Sequence, residues 1–118
     1  MASIDQIRAG LAAFYDNEIR KTLPQTKGII YGAAVGMALA KPEKLIAKIL
    51  PAAQMLGIMD EGGNVDIETM TREIKKQIAA SGGEIRMELN LNMFNPADRD
   101  VFRFTAQDVD RLIDYIRR

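Results

Sequence analysis

Thirteen consecutive residues, Gly28 to Ala40, carry no charge, and Lys27 and Lys41 bracket them. A bilayer span needs about 20 apolar residues, so the run is too short for a conventional crossing. It reads instead as a helix over 26–40 that is apolar nearly all round: Ile29, Ile30, Tyr31, Ala33, Ala34, Val35, Met37, Ala38 and Leu39. A helix of that kind belongs in a core or in an interface. Gly28, Gly32 and Gly36 recur every four residues along it, with Ala40 next in the series. Residues at that spacing line one ridge of a helix. Each glycine costs about 0.8–1.0 kcal/mol against alanine in a helix interior, so three in register call for close backbone contact in return. Two occupants fit: another helix of the same chain, or a partner or second copy. Gly28, Gly32 and Gly36, with Tyr31 and Val35, are the candidate helix-packing residues.

The rest of the chain supplies the elements that could meet this helix. Ser3 and Gln6 form a capping box, and Ile4, Ile7, Leu11 and Phe14 follow at helical spacing. That first helix runs to about Thr22, where Leu23-Pro24 stops it. After the apolar run, Pro42 opens a third helix with Leu45, Ile46, Ile49, Leu50, Ala53 and Leu56 on one side. Pro51 should kink it, and Gly57 caps it.

The pattern changes at Ile58. Asp60-Glu61-Gly62-Gly63-Asn64 is a turn cluster, with Ile58-Met59 and Val65-Asp66-Ile67 as a short ribbon around it. Ile67, Met70, Ile74 and Ile78 mark a further helix behind an Asp66 N-cap, stopped by Ser81-Gly82-Gly83. From 84 to 93, apolar Ile85, Met87, Leu89, Leu91 and Met93 alternate with polar residues, the mark of a half-buried antiparallel strand. Asn95-Pro96 turns the chain, and Val101 to Phe104 returns. Thr105 and Asp108 box the start of a last helix carrying Val109, Leu112, Ile113 and Ile116.

The expected fold is therefore α+β in a single domain over 1–118. Residues 1–57 form a part of three helices. Residues 58–118 form a β-α-β-β-α part: ribbon, helix, antiparallel hairpin, helix.

Composition narrows function mainly by exclusion. With no His and no Cys, the chain has no Ser-His-Asp or Cys-His nucleophile and no thiolate or imidazole metal site. Glu84 and Glu88 share a strand face, and Asp110 and Asp114 a helix face, but both pairs read as solvated surface. No phosphate-cradling Gly-Lys-Ser/Thr loop occurs. Aligning Gly63 with the invariant glycine of a calcium loop puts Ile58 and Thr69 where carboxylates are needed, so that reading fails. The expectation is a protein without enzyme activity, cofactor, metal or small-molecule substrate. The first eight residues lack the basic start and apolar run of a signal peptide, which makes cytoplasmic the default.

Charge sums to zero over 16 basic and 16 acidic residues, yet it is divided. Between Arg20 and Gly57 stand Arg20, Lys21, Lys27, Lys41, Lys44 and Lys48 against Glu43 alone, a net +5 that leaves −5 elsewhere. Two alternative readings follow. One is association of 20–57 with an anionic membrane surface. The other is a winged-helix-like nucleic-acid module, in which the helix of 67–80 offers Arg72, Lys75 and Lys76 and the hairpin offers Arg99. Glu68 and Glu73 on that helix, and Asp98 and Asp100 around Arg99, weigh against a phosphate-binding footprint.

Four stretches form a recognisable set: Phe14-Tyr15-Asp16-Asn17-Glu18-Ile19, Met55-Leu56-Gly57-Ile58-Met59-Asp60, Gly63-Asn64-Val65-Asp66-Ile67 and Phe104-Thr105-Ala106-Gln107-Asp108-Val109-Asp110. Together they resemble a family of small phage- and prophage-encoded proteins of gut bacteria. The resemblance implies a mobile-element origin and a structural or accessory role. It carries no catalytic or binding residue onto this chain. The leading expectation is thus a protein that works by binding protein, either a partner or itself.

Overall fold

A computed structural model describes residues 2–41, 44, 57–60, 62–90 and 94–118. The fold is α+β, and the described residues form four α-helices and one two-stranded antiparallel sheet. The third helix expected over 42–57, with Lys48 and Glu43, lies almost wholly outside the described residues.

Helix α1 spans Ile4–Phe14 behind the Ser3 capping box. Ser3 donates its N–H to Gln6 Oε1 at 2.8 Å, and Gln6 donates its N–H to Ser3 Oγ at 3.2 Å. The helical path continues to Thr22 but changes pitch on the way. Tyr15–Ile19 makes a wide π turn and Arg20–Thr22 a tight 3₁₀ turn. A π turn changes which side of the axis the next residues face. Leu23, preceding Pro24, is extended at φ −107° and ψ 151°, as the proline ring requires.

Helix α2 spans Gln25–Leu39. Asp66 caps α3, Ile67–Ala80, through Thr69 N at 3.3 Å and Thr69 Oγ1 at 2.9 Å. At its other end Gly82 N–H bonds Ala79 O and Gly83 N–H bonds Ile78 O, the paired C-terminal bonds of a Schellman motif. Both glycines sit at positive φ, +85° and +99°, where a side chain would be strained. Strand β1, Ile85–Leu89, then pairs with β2, Asp100–Phe104, with Met87 opposite Phe102. The strand expected over 84–93 ends at Leu89, and 91–93 lie outside the described residues. Helix α4, Ala106–Arg117, closes the chain behind the Thr105–Asp108 box.

The ribbon at 58–67 is present and gains a third member. Val65 bridges Met59 on one side and Ala2 on the other. Ala2 and Val65 exchange both N–H···O bonds, at 2.9 and 2.8 Å.

The core gathers around Ile7, Ile58 and Val65, with Met70 and Ile78 from α3 and Val109, Ile113 and Ile116 from α4. Helix α1 lies directly on α4 at Gly10. A Cβ built there would stand 2.7 Å from Ile116 Cα and 2.8 Å from Ile116 N.

An apolar helix with no polar side predicts burial all round. Helix α2 is instead buried on one side only, and it contributes no residue to the core cluster. The physical reason is that α1, α3, α4 and the ribbon already enclose Ile7 and Val65. Helix α2 is left to pack outside them, against Tyr15 and β2.

Candidate protein-docking surface

Along α2, Gly28, Tyr31, Gly32, Val35 and Leu39 face inward at helical spacing. Gly28 and Gly32 are filled from within the chain. A Cβ on Gly28 would meet Arg20 Cγ at 3.2 Å, and one on Gly32 would meet Tyr15 Cε1 at 3.4 Å. The Tyr15 hydroxyl donates to Gly28 O at 2.6 Å. The wide turn that begins at Tyr15 is what carries its ring to this seat, and burial pushes its phenol pKa upward. The ridge therefore divides. Gly28 and Gly32 accept the continuation of the first helix, while Gly36 meets nothing within 4 Å.

Polar groups fix the other contacts of α2. Tyr31 is 5% exposed; its ring meets Phe102 edge-on at 5.3 Å, and its hydroxyl donates to Asp100 Oδ2 at 2.6 Å. Lys27 Nζ reaches Asp100 Oδ1 at 2.9 Å and Asp98 Oδ1 at 3.4 Å. At the far end Arg8 Nε donates to Leu39 O at 2.9 Å. These bonds set the charge states. The Tyr31 hydroxyl and the Lys27 ammonium hold the Asp100 carboxyl below the usual carboxylate range. Burial, then the bond to Asp100, pushes the Tyr31 phenol up to about 12. A phenol whose folded pKa lies above its ordinary 10 stabilises the fold fully below pH 10, and that contribution is lost as pH rises toward 12. Tyr31→Phe should cost about 1.5–3 kcal/mol at neutral pH, the range for a hydrogen bond to a charged group. It should also flatten the fall in stability above pH 10 in alkaline denaturation monitored by circular dichroism. An unchanged alkaline slope would show that Tyr31 does not couple α2 to β2.

The outward side of α2 is of a different kind. Ile29 is 55% exposed, Ile30 45% and Met37 79%. Ala33, Ala34, Gly36, Ala38 and Ala40 lie among them, also exposed, and no charged residue interrupts the strip. At 1.5 Å per residue the helix is about 22 Å long. Lys21 before it and Lys41 and Lys44 beyond it are basic.

Each of the residues named for nucleic-acid contact lies near an acid. Arg72 approaches Glu73 at 3.8 Å, Lys76 the same Glu73 at 3.3 Å, Lys75 Asp110 at 2.7 Å and Arg99 Glu88 at 3.3 Å. The first three border an open groove of about 770 Å³ between α3 and α4, whose other wall carries Asp110, Asp114 and Arg117. Its lining is of mixed sign. The hairpin, for its part, is not a free wing, because Phe102 and Asp100 are engaged by α2.

Sequence reasoning missed Tyr15 and Asp100 as the anchors of α2. Tyr15 read as one more helical residue, and Asp100 as a loop acid beside Arg99. No local spacing marks either, since their partners stand 13 and 69 residues away.

No protein-family model, curated protein or solved structure matches the chain. The chemistry of its surfaces is therefore what speaks to its role.

Proposed function

We propose that this is a non-enzymatic docking domain that binds a protein partner through the outward strip of α2. The observation that carries this reading is Met37, Ile30 and Ile29 standing exposed on a strip without charge, held rigid from behind by Tyr15, Tyr31 and Lys27. Contiguous exposed apolar surface on a folded domain marks a binding site more often than chance exposure does. A helix whose back is pinned loses little entropy when its front is covered, which favours affinity. The chemistry selects a partner helix or groove that is apolar at its centre and acidic at its ends, facing Lys21 on one side and Lys41 and Lys44 on the other. An accessory role in a phage or prophage assembly is the setting that the family resemblance implies.

A photo-reactive residue at position 37 tests this in cells that naturally produce the protein. One defined protein adduct, lost on adding Ile30→Glu and absent when the probe sits at Glu68, is the expected result. Adducts to lipid alone, with flotation on anionic vesicles, would replace the protein partner by a membrane surface. No adduct at position 37 would overturn the reading.

A further inference from the structure

A two-stranded sheet is marginal by itself and gains stability from further strands or from a helix packed on it. Here β2 is occupied by β1 on one side and its Phe102 and Asp100 by α2. Among the described residues β1 has no second neighbour, and its backbone bonds only to β2. Its residues from Arg86 to Leu89 are exposed, including Met87 at 45% and Leu89 at 37%. An open strand edge is a template for another strand.

The residues of β1 specify which strand fits. Reading 84 to 90 gives Glu, Ile, Arg, Met, Glu, Leu, Asn. Folded back on itself about Met87, this stretch is complementary. Arg86 of one copy falls opposite Glu88 of the other, twice, and Ile85 falls opposite Leu89, twice. Opposite charges directly across an antiparallel pair stabilise it, and like charges destabilise it. A shift by one residue would bring apolar side chains opposite charged ones and turn them to the wrong face. Parallel in-register stacking would set Arg86 against Arg86 and Glu88 against Glu88. The stretch therefore favours one antiparallel arrangement with a two-fold axis, the commonest symmetry of protein dimers.

The geometry points to a homodimer in which β1 pairs with β1 of a second copy, giving a four-stranded antiparallel sheet in the order β2-β1-β1-β2. One face of that sheet carries Ile85, Met87 and Leu89 of both copies as a continuous apolar band beside Phe102 and Phe104. The other carries the two crossed Arg86–Glu88 pairs. Within one chain Arg86 Nη2 already lies 3.0 Å from Glu88 Oε1, so the pairing extends an existing charge ladder across the axis. This surface is separate from the α2 strip.

Sedimentation equilibrium of the full chain tests it. The wild type should run at twice its 13.1 kDa. R86E places four acids around the axis and E88R four bases. Each variant should weaken the dimer by about tenfold or more, with far-UV circular dichroism unchanged. Mixed one to one, R86E and E88R regain complementarity and should sediment together as a heterodimer. Loss of an interaction inside one chain cannot produce that recovery. A wild type that stays at 13.1 kDa at hundreds of micromolar would overturn the inference. So would a dimer that survives R86E but is lost in Met37→Glu, which would put self-association on α2.

Discussion

Gly10→Ala should lower the melting temperature sharply, although glycine to alanine in a helix interior ordinarily raises stability by up to about 1 kcal/mol. The sign reverses because the new methyl group would stand 2.7 Å from Ile116 Cα. A flexible side chain could move aside; the backbone of Ile116, in the last turn of α4 with its side chain buried in the core, cannot do so without shifting the helix. Helices α1 and α4 must then separate, and Ile7 and Ile116, 1% and 3% exposed, lose part of their contact. Overpacking a tight core costs about 1–3 kcal/mol, and at this chain length each kcal/mol is worth about 4 °C. Thermal unfolding followed by circular dichroism measures the effect, with Gly36→Ala as the control. Nothing lies within 4 Å of a Cβ at Gly36, so there alanine should stabilise. A Gly10→Ala protein as stable as the wild type would mean that α1 and α4 are not in close contact.

Asp100→Ala should release α2 while leaving the core folded. The carboxylate accepts from both Tyr31 and Lys27, at 2.6 and 2.9 Å. Without it the Lys27 ammonium, 28% exposed, can turn to water. The Tyr31 hydroxyl cannot without pulling its ring off Phe102. A buried donor left without an acceptor costs about 1–3 kcal/mol. That is enough to loosen α2, whose remaining polar ties are the Lys27–Asp98, Tyr15–Gly28 and Arg8–Leu39 bonds. Hydrogen exchange should show faster exchange over residues 25–39, with protection kept around Ile7 and Val65. Asp100→Asn retains an acceptor for the phenol and should fall between the two. Uniform loss of protection across the chain would show that α2 and the core unfold as one unit.

Much of the architecture is legible in short-range chemistry. The Ser3 and Thr105 capping boxes, the Asp66 cap and the Gly82-Gly83 stop all appear where their spacing predicts. The alternation around Met87 predicts the first hairpin strand, although that strand ends sooner. What is not legible depends on distant partners. Gly10 resembles any helical glycine until Ile116 lies against it. The pitch change at Tyr15 has no signature in its residues, yet it decides what fills Gly28 and Gly32. The apolar run of 28–40 marks a surface to be covered, and its composition alone does not say that only one side would be.

The contact between α1 and α4 also has a consequence for the order of synthesis. Among the described elements α1 is made first, and the helix it rests on is made after all the others. The anchors of α2 at Asp100 and Phe102 come late as well. Until then Gly10 lacks Ile116, Phe14 lacks its Tyr115 contact, and Tyr31 lacks Phe102 and Asp100. The nascent chain carries α1 unpaired while the elements between are made, so the closing of the core on α4 is a late, long-range event.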